Sequence, residues 1–195
     1  MNAPRLMKVA GATAISFALW DGVNRALLES DNNTDRREIA AGYRGDCAFT
    51  AVSRLFLLLD RNPKLVSFQT LYSKLQSEAV VTLLLKRLDE DEFSTCRNAE
   101  LTNDAIRRFL QTYRSIDWQD LHGRLVHFRN RGVAHLTPQK IEKRVTYAEL
   151  KSLSVAVAIM GECMEPFTKD GVPLQEDEIK EWSNRAFALW RAVLA

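Results

Sequence analysis

Turn-forming residues are scarce in this chain. Eight glycines and five prolines are spread over 195 residues, too few for the many tight turns of an all-β sandwich or barrel. Sustained polar–apolar alternation, the mark of a half-buried strand, is also missing. Cysteine is limited to Cys47, Cys96 and Cys163. An odd count, wide spacing and no C-x-x-C pair exclude a disulfide framework, a zinc knuckle and a redox dithiol. Cys47 and Cys163 fall on apolar stripes and are expected to be buried thiols, whereas Cys96 sits in a polar loop beside Arg97. A reducing, cytoplasmic location is expected. There is no P-loop or Gly-rich phosphate cradle, which argues against a small-nucleotide regulator. No stretch reads as long or apolar enough for a membrane-spanning helix. Arg5 and Lys8 precede a mild apolar run, Val9–Trp20, in the outline of a leader. Leu6, Val9, Ala10, Phe17, Trp20, Leu27 and Leu28 keep one helical rhythm through the would-be cut, so a signal peptide is not expected.

What is present is helical periodicity. The length suits a single domain with its own core. One helix is expected over Pro4–Glu29 and a second from Asp35 to about Leu59, with Ile39, Tyr43, Cys47, Ala51, Leu55 and Leu58 on its inner side. Pro63 stops that helix, and Ser67 is placed to cap a short one through Leu71 and Leu75. Val80–Leu88 is strongly apolar and runs into the acidic tract Asp89–Glu92, read as solvated surface. Thr102 or Asn103 is expected to cap a helix carrying Ile106, Phe109, Leu110 and Tyr113. Ser115–Asp117 nicks it before Trp118, Leu121, Leu125 and Phe128 continue the stripe. Thr146-Tyr147-Ala148-Glu149 is a capping box opening a helix with Leu150, Leu153, Val157, Met160 and Met164 inside. After Gly171-Val172-Pro173 a last helix carries Ile179, Trp182, Ala186 and Leu189. Trp20, Trp118, Trp182 and Trp190 lie on these stripes and read as core residues before base-stacking platforms. The expected fold is an all-α, up-and-down bundle of six or seven helices.

Charge is uneven. The chain carries +2 in all, yet between His122 and Arg144 six basic residues (Arg124, Arg129, Arg131, Lys140, Lys143, Arg144) face one acid, Glu142, a local balance of +5. All three histidines, His122, His127 and His135, lie there as well. Inside this patch, Phe128–Leu136 reads FRNRGVAHL: an arginine, an adjacent amide at Asn130, and a histidine six positions after Arg129. A guanidinium holds a phosphate charge at any working pH, and an imidazole exchanges a proton near neutrality. On a straight helix Arg129 and His135 point about 120° apart with a rise of about 9 Å, whereas Arg131 and His135 share a face. Two solutions stay open. Gly132 loosens the helix so that Arg129 and His135 converge, or two copies of the segment meet across a two-fold axis.

Arg-polar-x4-His near the end of a helix, in a small all-α chain, resembles the HEPN domain (higher eukaryotes and prokaryotes nucleotide-binding). Residues 51–75, AVSRLFLLLDRNPKLVSFQTLYSKL, resemble its abortive-infection, AbiU-like branch. There an apolar helix ending in Arg-Leu-Phe and then Asp precedes a Ser-led short helix, as Arg54-Leu55-Phe56 and Asp60 to Leu75 do here. The likeness covers roughly residues 40–160. It implies a four- or five-helix core, a homodimer, and metal-independent endoribonuclease activity with no cofactor, in a toxin or phage-defence effector. By this resemblance Arg129 and His135 are the catalytic pair and Asn130 the polar residue beside them. Arg131, Arg124, Lys140, Lys143 and Arg144 are expected to bind RNA by charge and placement. An antitoxin or nucleotidyltransferase would be the restraining partner. In some relatives the latter modifies a tyrosine two residues after the histidine. Here that place is Thr137, which puts the tyrosine route in doubt.

RNA brings its own nucleophile, the 2′-OH, so the protein has only to move protons and stabilise charge. His135 would act as base or acid, Arg129 would hold the pentavalent phosphorus, and the products would be a 2′,3′-cyclic phosphate and a 5′-hydroxyl. DNA lacks the 2′-OH and would survive. The plainer readings are a His135 ring favoured at a helix C-terminus, surface charge for each single Arg or Lys, and partial burial for His122 and His127. The competing function is a non-catalytic HEPN-like adaptor that binds nucleic acid or a protein through its basic face.

Overall fold

The first helix is apolar on nearly all sides, and three other helices pack on it. The computed structural model describes residues 3–30, 35–89, 99–128, 145–168 and 172–195. Among them are eight α-helices, one 3₁₀ turn at Glu165–Phe167 and no strand. The helices are α1 (Ala3–Glu29), α2 (Asp35–Leu58), α3 (Phe68–Leu75), α4 (Glu78–Asp89), α5 (Ala99–Ser115), α6 (Trp118–Phe128), α7 (Tyr147–Glu162) and α8 (Glu176–Leu194). The all-α expectation holds, with more helices than the six or seven expected.

α2, α7 and α8 all pack on α1, as expected of a helix without a wet face. Pairs of contacting residues give the directions. Arg54 Nη1 donates to the Ala12 carbonyl at 2.7 Å and Arg44 Nη1 to Asn24 Oδ1 at 3.0 Å, so α2 runs antiparallel to α1. Trp20 stacks on Tyr147, and a Cβ on Gly161 would meet Ala10, so α7 is antiparallel as well. α8 runs parallel to α1, with Gly11 beside Leu174 and Arg25 bonded to Ser183 and Asn184. Close approach explains the small residues of α1. A Cβ on Gly22 would lie 2.4 Å from the Ser183 carbonyl oxygen and 2.6 Å from the Ala186 Cβ. The buried hydroxyls of Thr13 and Ser16 return hydrogen bonds to the carbonyls of Val9 and Ala12, so neither is stranded in the core.

By length and composition α1 does reach the threshold of a spanning helix, with an 18-residue window of mean hydropathy 1.2, which corrects the expectation of no such stretch. Of that window 61% is buried inside the fold. Its apolar surface is used against α2, α7 and α8.

The second layer is α3 to α6. Ser67 is fully buried and caps α3: Thr70 N donates to its Oγ at 3.1 Å, and Ser67 N donates to Thr70 Oγ1 at 3.0 Å. α5 starts at Ala99, earlier than expected, leaving Thr102 inside the helix at 2% exposure. The expected nick at Ser115–Asp117 separates α5 from α6, closed by Trp118 Nε1 donating to the Tyr113 carbonyl at 3.0 Å. Two stripes are phased differently from expectation. On α2, Ile39 and Tyr43 are exposed while Cys47, Ala51, Leu55 and Leu58 are buried. On α8 the inner face is Ser183, Ala186 and Leu194, with Phe187 and Trp190 half-buried, while Trp182 and Leu189 face water. The Gly22 contact draws Ser183 and Ala186 inward and turns Trp182 out. α4 buries no residue fully, and Val80 and Leu83 are exposed.

Candidate functional site

Arg129, Asn130 and His135, and with them Arg131, Lys140, Lys143 and Arg144, lie outside the described residues. The structure does describe both flanks of that segment. α6 leads directly to Arg129, positioned by buried Leu121 and Leu125 and half-buried Trp118 and Phe128. α7 begins just after it. Thr146 Oγ1 accepts from Glu149 N at 3.3 Å, and Glu149 Oε2 accepts from Thr146 N at 2.7 Å, the expected reciprocal box.

Arg124 is the one basic residue of the expected RNA-binding set among the described residues. Its Nη1 donates to Glu149 Oε2 at 2.8 Å, its Nη2 to Glu149 Oε1, and its Nε lies 2.9 Å from Asp120 Oδ2. The hydrogen bond from Arg124 is the main cause that lowers Glu149 to about 2, with the Thr146 donors adding to it. The same bond raises Arg124 above its ordinary value. A guanidinium whose fork is filled by a carboxylate is a structural clasp before it is a phosphate contact. It ties the last turns of α6 to the first turn of α7, the two described neighbours of residues 129–144.

A cleft of about 350 Å³ opens beside this clasp, between the α5–α6 turn, α6 and α7. Its polar lining is Ser115, Asp117, Asp120, Arg124, Glu149 and Ser152. Three carboxyl groups against one guanidinium make it unsuited to a polyanion. No group of three or more potential metal ligands occurs among the described residues.

Both other histidines sit on α6 and are half-buried. Burial, with Arg61 adding to it, holds His122 below the usual imidazole range, against the opposing pull of Asp60. Burial there favours the neutral ring over the charged one. His127 Nε2 is buried without a hydrogen-bond partner. The expected buried thiols are so: Cys47 and Cys163 are 7% and 3% exposed. Burial pushes Cys163 up to about 11 and raises Cys47, which lowers the thiolate share of both.

Sequence reasoning missed an aromatic column at the α3–α5–α6 junction. Tyr72 stacks on Tyr113 at 4.2 Å between centroids, and Tyr113 on Trp118 at 4.8 Å. Phe68 meets Phe109 edge-on at 5.7 Å one turn below. The signal was there: Phe68/Tyr72 and Phe109/Tyr113 are aromatic pairs four residues apart on two helices, and each pair puts two rings on one face.

Compared with protein-family models, characterised proteins and solved structures, the chain matches none.

Proposed function

We propose that the protein is a metal-independent endoribonuclease of HEPN type, a toxin or phage-defence effector acting as a homodimer. Arg129 steadies the phosphate, Asn130 orients the ribose or the imidazole, and His135 moves the proton. The set Arg129-Asn130 with His135, directly after α6 in the sequence of a chain whose described residues are all-α, supports this reading. The observation that carries it is that spacing, inside the basic run His122–Arg144; the clasp between Arg124 and Glu149 joins α6 and α7, the described helices on either side of it. Expression in bacteria tests it. Wild type is expected to arrest growth, and His135→Ala and Arg129→Ala to be tolerated at equal protein level. Equal toxicity of folded variants would remove both residues from the chemistry.

One observation favours the adaptor reading as a second choice. α2 exposes the apolar side chains Ile39 at 65%, Phe49 at 41% and Leu57 at 59%, spaced along the helix, which suit contact with a protein partner. An adaptor would bind RNA or protein without cleaving, and the same toxicity comparison separates the two.

A further inference from the structure

The column of Tyr72, Tyr113 and Trp118 has a buried centre and two half-exposed ends. Tyr113 is 4% exposed, covered on one side by Tyr72 and on the other by Trp118, with interplanar angles of 21° and 27°. Its hydroxyl donates to Gln69 Oε1 and so belongs to the interior. Tyr72 and Trp118 each use one ring face within the column and remain half-buried. Core packing accounts for Tyr113, Phe109 and Phe68. It does not account for the charges near the column.

Two exposed guanidiniums lie near the column, one of them in contact with Tyr72. Arg114, at the end of α5, brings its Nε to 3.3 Å from the Tyr72 hydroxyl. Arg61, in the α2–α3 loop, lies near enough to Tyr113 and His122 to bias the protonation of both. Arg107, Arg108, Arg124, Arg185 and Arg191 pair with carboxylates, whereas neither Arg61 nor Arg114 has such a pair among the described residues. Half-buried aromatic rings near cations that have no carboxylate partner among the described residues are what a single-stranded nucleic acid recognises: bases stack, and phosphates meet the guanidiniums. α6 links this corner to the proposed site. From Trp118 to Phe128 it spans about 15 Å, a distance that a short run of single strand covers.

We propose that Tyr72 and Trp118, with Arg61 and Arg114, form a stacking subsite for single-stranded RNA at the start of α6. The choice of RNA as the polymer rests on the ribonuclease reading above. The probe is a fluorescein-labelled 12-nucleotide oligouridylate, titrated by anisotropy against the full chain carrying His135→Ala, which prevents cleavage. Adding R61Q and R114Q together is expected to weaken binding about tenfold and to lower the slope of log K against log salt by about 0.7 per lost phosphate contact. Tyr72→Leu is expected to weaken binding about tenfold with the slope unchanged, because stacking carries no charge. R61Q and R114Q are surface changes, so their result stands even if Tyr72→Leu fails to fold. Affinity and slope both unaffected by the double change would overturn the subsite. A chain that binds through these residues but cuts no RNA would support the subsite and overturn the ribonuclease reading. A chain that cuts RNA with binding indifferent to them would do the reverse.

Discussion

Arg124 and Glu149, on different helices and 25 residues apart in sequence, hold each other through a two-pronged ion pair, and Glu149 at the same time caps α7. The pair makes stability depend on acidity in a defined direction. Glu149 is lowered from 4.5 to about 2. A carboxylate lowered on folding contributes stability that is complete above its unfolded value and disappears as pH falls through its folded one. Urea unfolding at pH 5 and pH 2.5 is expected to show wild type losing about 1 kcal/mol more than Glu149→Gln over that interval, because solvent screens a pair that is partly exposed. Equal losses would show that the pair contributes nothing.

A related expectation concerns Arg124 itself. Arg124→Gln leaves Glu149 unpaired beside the cleft and is expected to lower stability by about 1–3 kcal/mol. Its filled fork makes it a poor phosphate contact, so the salt slope of RNA binding should not change. A slope reduced by about 0.7 would restore Arg124 to the RNA surface.

The glycines divide by position. A methyl at Gly22 would press on the α8 backbone, so Gly22→Ala is expected to cost about 1–3 kcal/mol or more in urea unfolding. Gly42 and Gly45 of α2 have open space where a Cβ would stand. Gly42→Ala and Gly45→Ala should each stabilise by about 0.5–1 kcal/mol through helix propensity. A stabilising Gly22→Ala would contradict the close α1–α8 contact.

Thiol reactivity follows from burial. In a Cys96→Ser variant, Cys47 and Cys163 are expected to resist a disulfide reagent at pH 8 in the native state and to react fully in urea. Fast native labelling of either would place it in solvent.

Much of the fold was legible in the residues because local signals agreed with the tertiary answer. Ser67 and the Thr146/Glu149 box start α3 and α7 where expected, and Leu150, Leu153, Val157, Met160 and Met164 point inward as their spacing requires. The phase of α8 was not legible. Ser183 and Ala186 go inside, ahead of Trp182 and Leu189, because Gly22 of α1 admits only small neighbours. That contact joins residues about 160 positions apart, and no window along one helix contains it. The role of Arg124 escaped for the same reason: the basic run shows its charge but not the carboxylate on α7 that takes it up. The aromatic column was half visible, as two spaced pairs whose meeting depends on the parallel packing of α3 and α5. The triad Arg129, Asn130 and His135 belongs to the sequence alone, since it lies outside the described residues.

The most direct measurement is end-group mapping of RNA incubated with the purified full chain in excess EDTA, beside the His135→Ala variant. Fragments ending in a 2′,3′-cyclic phosphate and beginning with a 5′-hydroxyl, made by wild type and absent with the variant, are the expected result. Intact RNA with wild type, 3′-hydroxyl ends, or cutting that appears only when Mg²⁺ is restored would contradict cleavage through the 2′-OH by Arg129 and His135.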